Sequence, residues 1–146
     1  MKRFVFRLQR ILELRQAREK ASLAELGREL QHLTLENEKL DLFCTERELQ
    51  LQEARVGRSE PFVAWAQAIN SRYLQRVGRA IEFQTHTVRR QEANVNTARH
   101  RFFERRRDTQ VLDHLRDKKR DEWRVDALRE EGKILDEVGS RKKGQQ

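Results

Sequence analysis

Apolar residues in the second half of the chain return at a fixed interval. Leu74, Ile81, Val88, Val95 and Phe102 are each seven positions from the next, with Val77, Gln84, Gln91, Ala98 and Arg105 at the intervening seam positions. A strict seven-residue repeat holds side chains on one slowly supercoiling helix face. It predicts a long helix over 62–138. In the first half, Leu23, Leu26, Leu30, Leu33, Asn37, Leu40, Cys44, Arg47, Leu51 and Ala54 form a seam with spacings of three and four. They predict a helix over 4–55. Leu35, Leu42 and Leu49 add a second row that widens the apolar stripe. Before residue 20 the register shifts to Phe4, Leu8, Ile11 and Leu14, with Leu12 beside them. No segment sustains the period of two that a strand requires, and no longer repeat of the solenoid type is present.

Between the two patterns stands Val56-Gly57-Arg58-Ser59-Glu60-Pro61. Gly57 suits a helix end with φ > 0, Ser59 an N-cap and Pro61 a first helical turn. A turn at 56–61 is short, and short connections favour antiparallel neighbours. The expected fold is all-α: two long helices forming an antiparallel coiled-coil hairpin over 1–138, followed by a flexible basic tail at 139–146. Folding about the turn sets Leu30 opposite the Val88 region and Leu23 opposite the Val95 region. The second helix then outruns the first by roughly 20 residues, or about 30 Å at 1.5 Å per residue. That overhang carries Trp123, Val125, Leu128, Ile134 and Leu135. Apolar groups on a lone helix invite a partner.

Composition sharpens this picture. Of 146 residues, 38% are charged and only 36% hydrophobic. That is too little apolar surface for a broad core but enough for a narrow seam. One proline and six glycines leave long helices uninterrupted. The net charge is +8, with 32 basic and 24 acidic residues interspersed, so much of the charge pairs along helix faces. The single cysteine, Cys44, has no partner for an internal disulfide, which fits a reducing compartment. After Met1-Lys2-Arg3-Phe4-Val5-Phe6 the chain turns polar at once, so no signal-peptide core develops. No run approaches the roughly 18 apolar residues of a membrane span. A cytoplasmic protein with at most peripheral membrane contact is expected.

Candidate chemistry is sparse. There is no Gly-rich phosphate loop, nucleophile elbow or HExxH, and a two-helix fold offers little room for a pocket. The chain reads as no enzyme, with no cofactor and no metal. His86, His100 and His114 recur at intervals of fourteen on a face away from the seam. Consecutive members lie about 21 Å apart along the helix rise, far beyond a shared metal ion. Cys44 reads as a small packed residue, and Asn37 either as a polar seam residue that fixes register or as one tolerated near solvent. Arg105-Arg106-Arg107 and Lys118-Lys119-Arg120 are basic clusters suited to phosphate or carboxylate surfaces. A nucleic-acid-binding coiled coil is the alternative of a different class, but no groove-reading fold or stacking platform accompanies these clusters. Tyr73, Ala80 and Gln84 are candidates for the flank of the seam just after the turn, where they either hold another protein by short anchors or simply pack against the first helix.

These residues resemble the FliJ family of bacterial flagellar export proteins. Phe4-x-Phe6-x-Leu8-x-x-Ile11-Leu12-x-Leu14-Arg15 is similar to its N-terminal signature. Tyr73-Leu74-x-x-Val77 with Ile81 resembles its early second-helix motif, and Leu112-x-x-Leu115-x-x-Lys118-Lys119-x-x-x-Trp123 its late one. Leu135-Asp136-Glu137 resembles its closing segment. The resemblance implies a soluble, stalk-like component of the flagellar type III export apparatus, serving protein export and motility. It implies binding to the hexameric export ATPase and to the cytoplasmic region of the export-gate membrane protein, at the inner face of the cell membrane, and for some members to export chaperones. Carried onto this chain, Tyr73, Val77, Ala80 and Gln84 face the gate. Arg3, Arg7, Lys118, Lys119 and Trp123 face the ATPase ring. The related stalk of a virulence-type secretion system is the alternative within the same class.

Overall fold

The computed structural model describes residues 3–57 and 64–143, with the backbone alone at 139 and 141–143. Two helices account for nearly all of it. α1 spans Gln9–Gly57, 49 residues, and α2 spans Ala64–Lys143, 80 residues. No strand occurs among the described residues. The fold is all-α, with the two long helices packed against each other. α1 begins later than Phe4, because residues 3–6 are not helical and the Gln9 amide donates to the Phe6 carbonyl at 3.1 Å. α2 runs on to Lys143, past position 138. Gly57 closes α1, but no described glycine takes a positive φ. The expected roles of Ser59 and Pro61 lie outside the described residues.

The chain forms two compact units, one of Met1–Ala21 with Phe103–Gln146 and one of Ser22–Phe102. In the Ser22–Phe102 unit, pairs across the helices are Tyr73 with Glu46, Gln84 with Glu36, Gln91 with Glu29 and Arg101 with Glu25. Their sequence separations rise steadily through 27, 48, 62 and 76. Such a rise is possible only if the two segments run antiparallel.

The α2 face follows the seven-residue row. Val77, Val88, Val95 and Ala98 are buried, Gln84 is buried among them, and Leu74, Ile81, Gln91 and Phe102 are half-buried. Arg105, expected in the seam, is exposed, and Thr109 takes the buried place beyond it. A threonine can be buried here because its hydroxyl donates to the Arg105 carbonyl one turn back, at 3.1 Å.

The α1 face differs from the expected one. Leu26, Leu33, Leu40, Leu51 and Ala54 are half-buried, but Leu23, Leu30, Asn37, Cys44 and Arg47 are exposed. Glu29, Glu36, Phe43 and Gln50 stand in the alternate positions instead. The reason is polar. Gln84 Nε2 donates to both the carbonyl and the carboxylate of Glu36, at 2.9 and 2.6 Å. Gln91 repeats this on Glu29 seven residues away, at 3.1 and 2.5 Å. Packing two glutamines into the seam, Gln84 buried and Gln91 half-buried, requires acceptors, since an unsatisfied buried amide costs about 1–3 kcal/mol. α1 therefore turns its glutamates inward. The row Leu35, Leu42 and Leu49 does not widen the packed stripe but lies exposed, at 53, 70 and 55%.

In the other unit, Leu12 is fully buried, with Phe4, Phe6 and Leu8 half-buried before it. Ile11 and Leu14 are exposed, so the register centres on Leu12 and not on the row Phe4, Leu8, Ile11, Leu14. Across from them Leu112, Thr109 and Ala127 are buried on α2.

Candidate functional site

Tyr73, Val77, Ala80 and Gln84 sit on consecutive turns of α2 within the Ser22–Phe102 unit. The fold engages three of them internally. Val77 is buried, Gln84 is clamped on Glu36, and the half-buried Tyr73 hydroxyl donates to the Glu46 carboxylate. Ala80 is half-buried at the edge of the packed face. What reaches solvent here is Ala80 and the rim of Tyr73, beside the exposed Arg72, Arg76 and Phe83.

Two ionisable groups carry the imprint of this packing. The Glu36 carboxyl is held below its ordinary value of 4.5, first by the ammonium hydrogen bond of Lys39 and then by Gln84. The Tyr73 phenol is pushed above 10.0, chiefly because its hydrogen is held by Glu46. The signs are opposite. The Glu36 contribution to stability is present above 4.5 and lost as pH falls through its lowered value. The Tyr73 contribution is present below 10.0 and lost as pH rises through its raised value. A carboxyl-carbon NMR titration should find Glu36 still ionised at pH 4.5, and Gln84→Ala should move its midpoint upward. An unmoved midpoint would remove Gln84 as a cause.

In the unit containing both termini, Arg3 and Arg7 are exposed. Trp123 is half-buried and holds the Phe4 ring at 6.0 Å between centroids, tilted 54°. Trp123 therefore does not stand on a lone helix; the non-helical start of the chain covers it. Tilted ring pairs of this kind add about 0.5–1.5 kcal/mol beyond area burial. Past it, Val125, Leu128, Ile134, Leu135 and Val138 stay exposed, at 46–70%. Lys119 Nζ pairs with Glu122 at 2.7 Å, and this holds the Glu122 carboxyl below its ordinary value. Lys118 is exposed beside Val125 and Arg129 in an open groove.

Elsewhere on this stretch the charges pair along the helix at a spacing of three. Arg116 meets Asp113, Arg120 meets Asp117, Arg124 meets Asp121 and Arg129 meets Asp126, at 3.0–3.5 Å. Each such pair is at least partly exposed and worth at most about 1 kcal/mol. They solubilise the helix more than they stabilise it.

His86, His100 and His114 are all exposed on α2, and Cys44 is exposed and not packed. Among the described residues no group of acidic, histidine or cysteine side chains is placed to hold a metal ion. No described helix is long and apolar enough to cross a membrane. One feature escaped the sequence reading: Arg15, Arg18, Arg105 and Asp108 line a small hollow. Its signal was the spacing of three within each pair, on helix segments that the hairpin brings face to face.

No curated protein and no solved structure matches the chain. The family model described as flagellar FliJ protein matches residues 4–146, essentially its whole length. The chain belongs to the FliJ family, and is thus a structural component of the flagellar export apparatus that takes part in flagellum biogenesis and protein export and is not an enzyme.

Proposed function

We propose that the chain acts as a stalk-like adaptor between the flagellar export ATPase ring and the cytoplasmic region of the export gate. In this reading it works at the inner face of the cell membrane and carries no chemistry of its own. The observation that supports it most is the row of exposed large apolar residues on α2 beyond Trp123, from Val125 to Val138. Five such side chains on one stretch of helix exceed the scattered exposure of an ordinary surface and mark a partner-binding region. Basic residues accompany them, with Arg3, Arg7, Lys118 and Lys119 on the same unit. A ring whose inner wall is acidic complements that surface, and the charge accelerates docking more than it deepens affinity.

The gate contact is assigned to the neighbourhood of Tyr73, Val77, Ala80 and Gln84. Val77 and Gln84 are already committed to α1, so they act there by holding α2 in place. Ala80 and the rim of Tyr73 supply the accessible contact. Because Ala80 is small, a close approach by the partner is possible at that point, and a bulky charged replacement would block it.

A pull-down with purified export ATPase and gate domain tests both assignments. Lys118→Glu with Lys119→Glu should weaken ATPase capture about tenfold or more at low salt and leave gate capture intact. Ala80→Glu should do the reverse. ATPase binding that survives the double reversal at several salt concentrations would remove the basic end from the contact.

A further inference from the structure

Arg15 and Arg18 stand one turn apart on α1, and Arg105 and Asp108 one turn apart on α2. All four lie in the unit containing the termini, and together they line a hollow of about 80 Å³. Three arginines and a single aspartate thus share one concavity. The arrangement is anchored. Arg15 is half-buried, and its Nη1 donates to the main-chain carbonyl of Asp108 at 3.0 Å. That bond ties the guanidinium to the facing helix and uses one of its five N–H donors. Arg18 and Arg105 are exposed at the rim. Thr109, next along α2, is buried and bonded back to the Arg105 carbonyl, so the backbone beneath the rim is fixed.

We infer that this hollow is a binding site for a phosphate-class oxyanion. Guanidinium groups present N–H donors in a fixed fork that matches phosphate oxygens in pairs, which an ammonium does not. The excess of two positive charges draws an anion in. The hollow is small, about 80 Å³, which suits a compact tetrahedral oxyanion better than a whole nucleotide. A nucleotide would lodge only its terminal phosphate, with base and sugar outside. This site does not depend on the partner assignments above, since none of its four residues belongs to either proposed contact.

The test uses the full chain and inorganic phosphate, titrated calorimetrically against chloride at constant ionic strength. Three proteins are compared: the parent, Arg18→Gln with Arg105→Gln, and Arg72→Gln with Arg76→Gln. The last pair removes the same charge from the other unit. One-site saturable binding is expected in the parent, weakened at least tenfold by the first pair of substitutions and unchanged by the second. Parallel titrations with ATP and ADP separate the sources of the ligand. Equal affinity for all three names the free phosphate group, and tighter nucleotide binding lost with Arg18 and Arg105 names a nucleotide's terminal phosphate. Absence of saturable binding, or equal weakening by both variant pairs, would overturn the site, because either marks simple screening of a basic surface. Arg18 and Arg105 are exposed, so their replacement leaves the packed faces intact. Circular dichroism on each variant confirms that before titration.

Discussion

Val95→Asp should disrupt the pairing of α1 with α2 in the Ser22–Phe102 unit. Val95 is 3% exposed, at the fourth position of the seven-residue row, with no cationic group in the buried seam beside it to receive a carboxylate. Burying an unpaired charge typically costs about 3–5 kcal/mol, after whatever relief protonation provides. A narrow seam has little in reserve against this. Its other buried members are small or medium side chains, each worth about 1.5–3 kcal/mol at most. Circular dichroism should show lower helicity at 25 °C and a broad, early melt. Val111→Asp, at a position 59% exposed, should change stability by no more than about 0.5 kcal/mol. If the two variants melted alike, the burial of the α2 row would be wrong.

Leu12→Ala is the second large effect. Leu12 is the one large side chain among the described residues with no exposed surface. Removing a buried leucine to the β-carbon costs about 2–5 kcal/mol, made of lost transfer energy and the cavity left behind. At about 2–4 °C per kcal/mol for a chain of this size, the melting midpoint should fall by roughly 10 °C. The informative controls are its sequence neighbours. Ile11 and Leu14 are 46 and 52% exposed, so alanine at either should cost well under half as much. A larger loss at Leu14 than at Leu12 would mean that α1 presents a different face. The same variant should weaken function through the start of the chain, because Leu12 anchors the segment that carries Phe4 onto Trp123.

The two helices were not equally legible. In α2 most apolar residues between Leu74 and Phe102 fall on the two alternating seam positions, so periodicity picks out a single face. Val77, Gln84, Val88, Val95 and Ala98 follow from it directly. In α1 leucines occur on several faces: Leu23 and Leu30 on one, Leu26, Leu33 and Leu40 on another, Leu35, Leu42 and Leu49 on a third. Spacing alone cannot rank them. The decision falls to Gln84 and Gln91, which need acceptors at a matching interval of seven. Glu29 and Glu36 supply them, and that pairing of polar residues was the signal a purely apolar pattern misses. The overhang was half right for a similar reason. Trp123 is covered by a non-helical segment that no heptad describes, while Val125, Leu128, Ile134 and Leu135 are exposed as expected. The arginine hollow left only the spacing of three within each pair as a trace, because it joins residues ninety positions apart and only the helix pairing makes them neighbours.

The two glutamine clamps also bear on how the helices may move past one another. A seven-residue slide would bring apolar positions back into alignment, so dispersion and burial alone would barely oppose it. Such a slide keeps one glutamine opposite a glutamate but leaves the other facing Phe43, Ser22 or nothing polar enough to replace a carboxylate. One stranded amide costs about 1–3 kcal/mol. The clamps therefore behave as a detent, holding the pair at one notch while the surrounding apolar track would tolerate several.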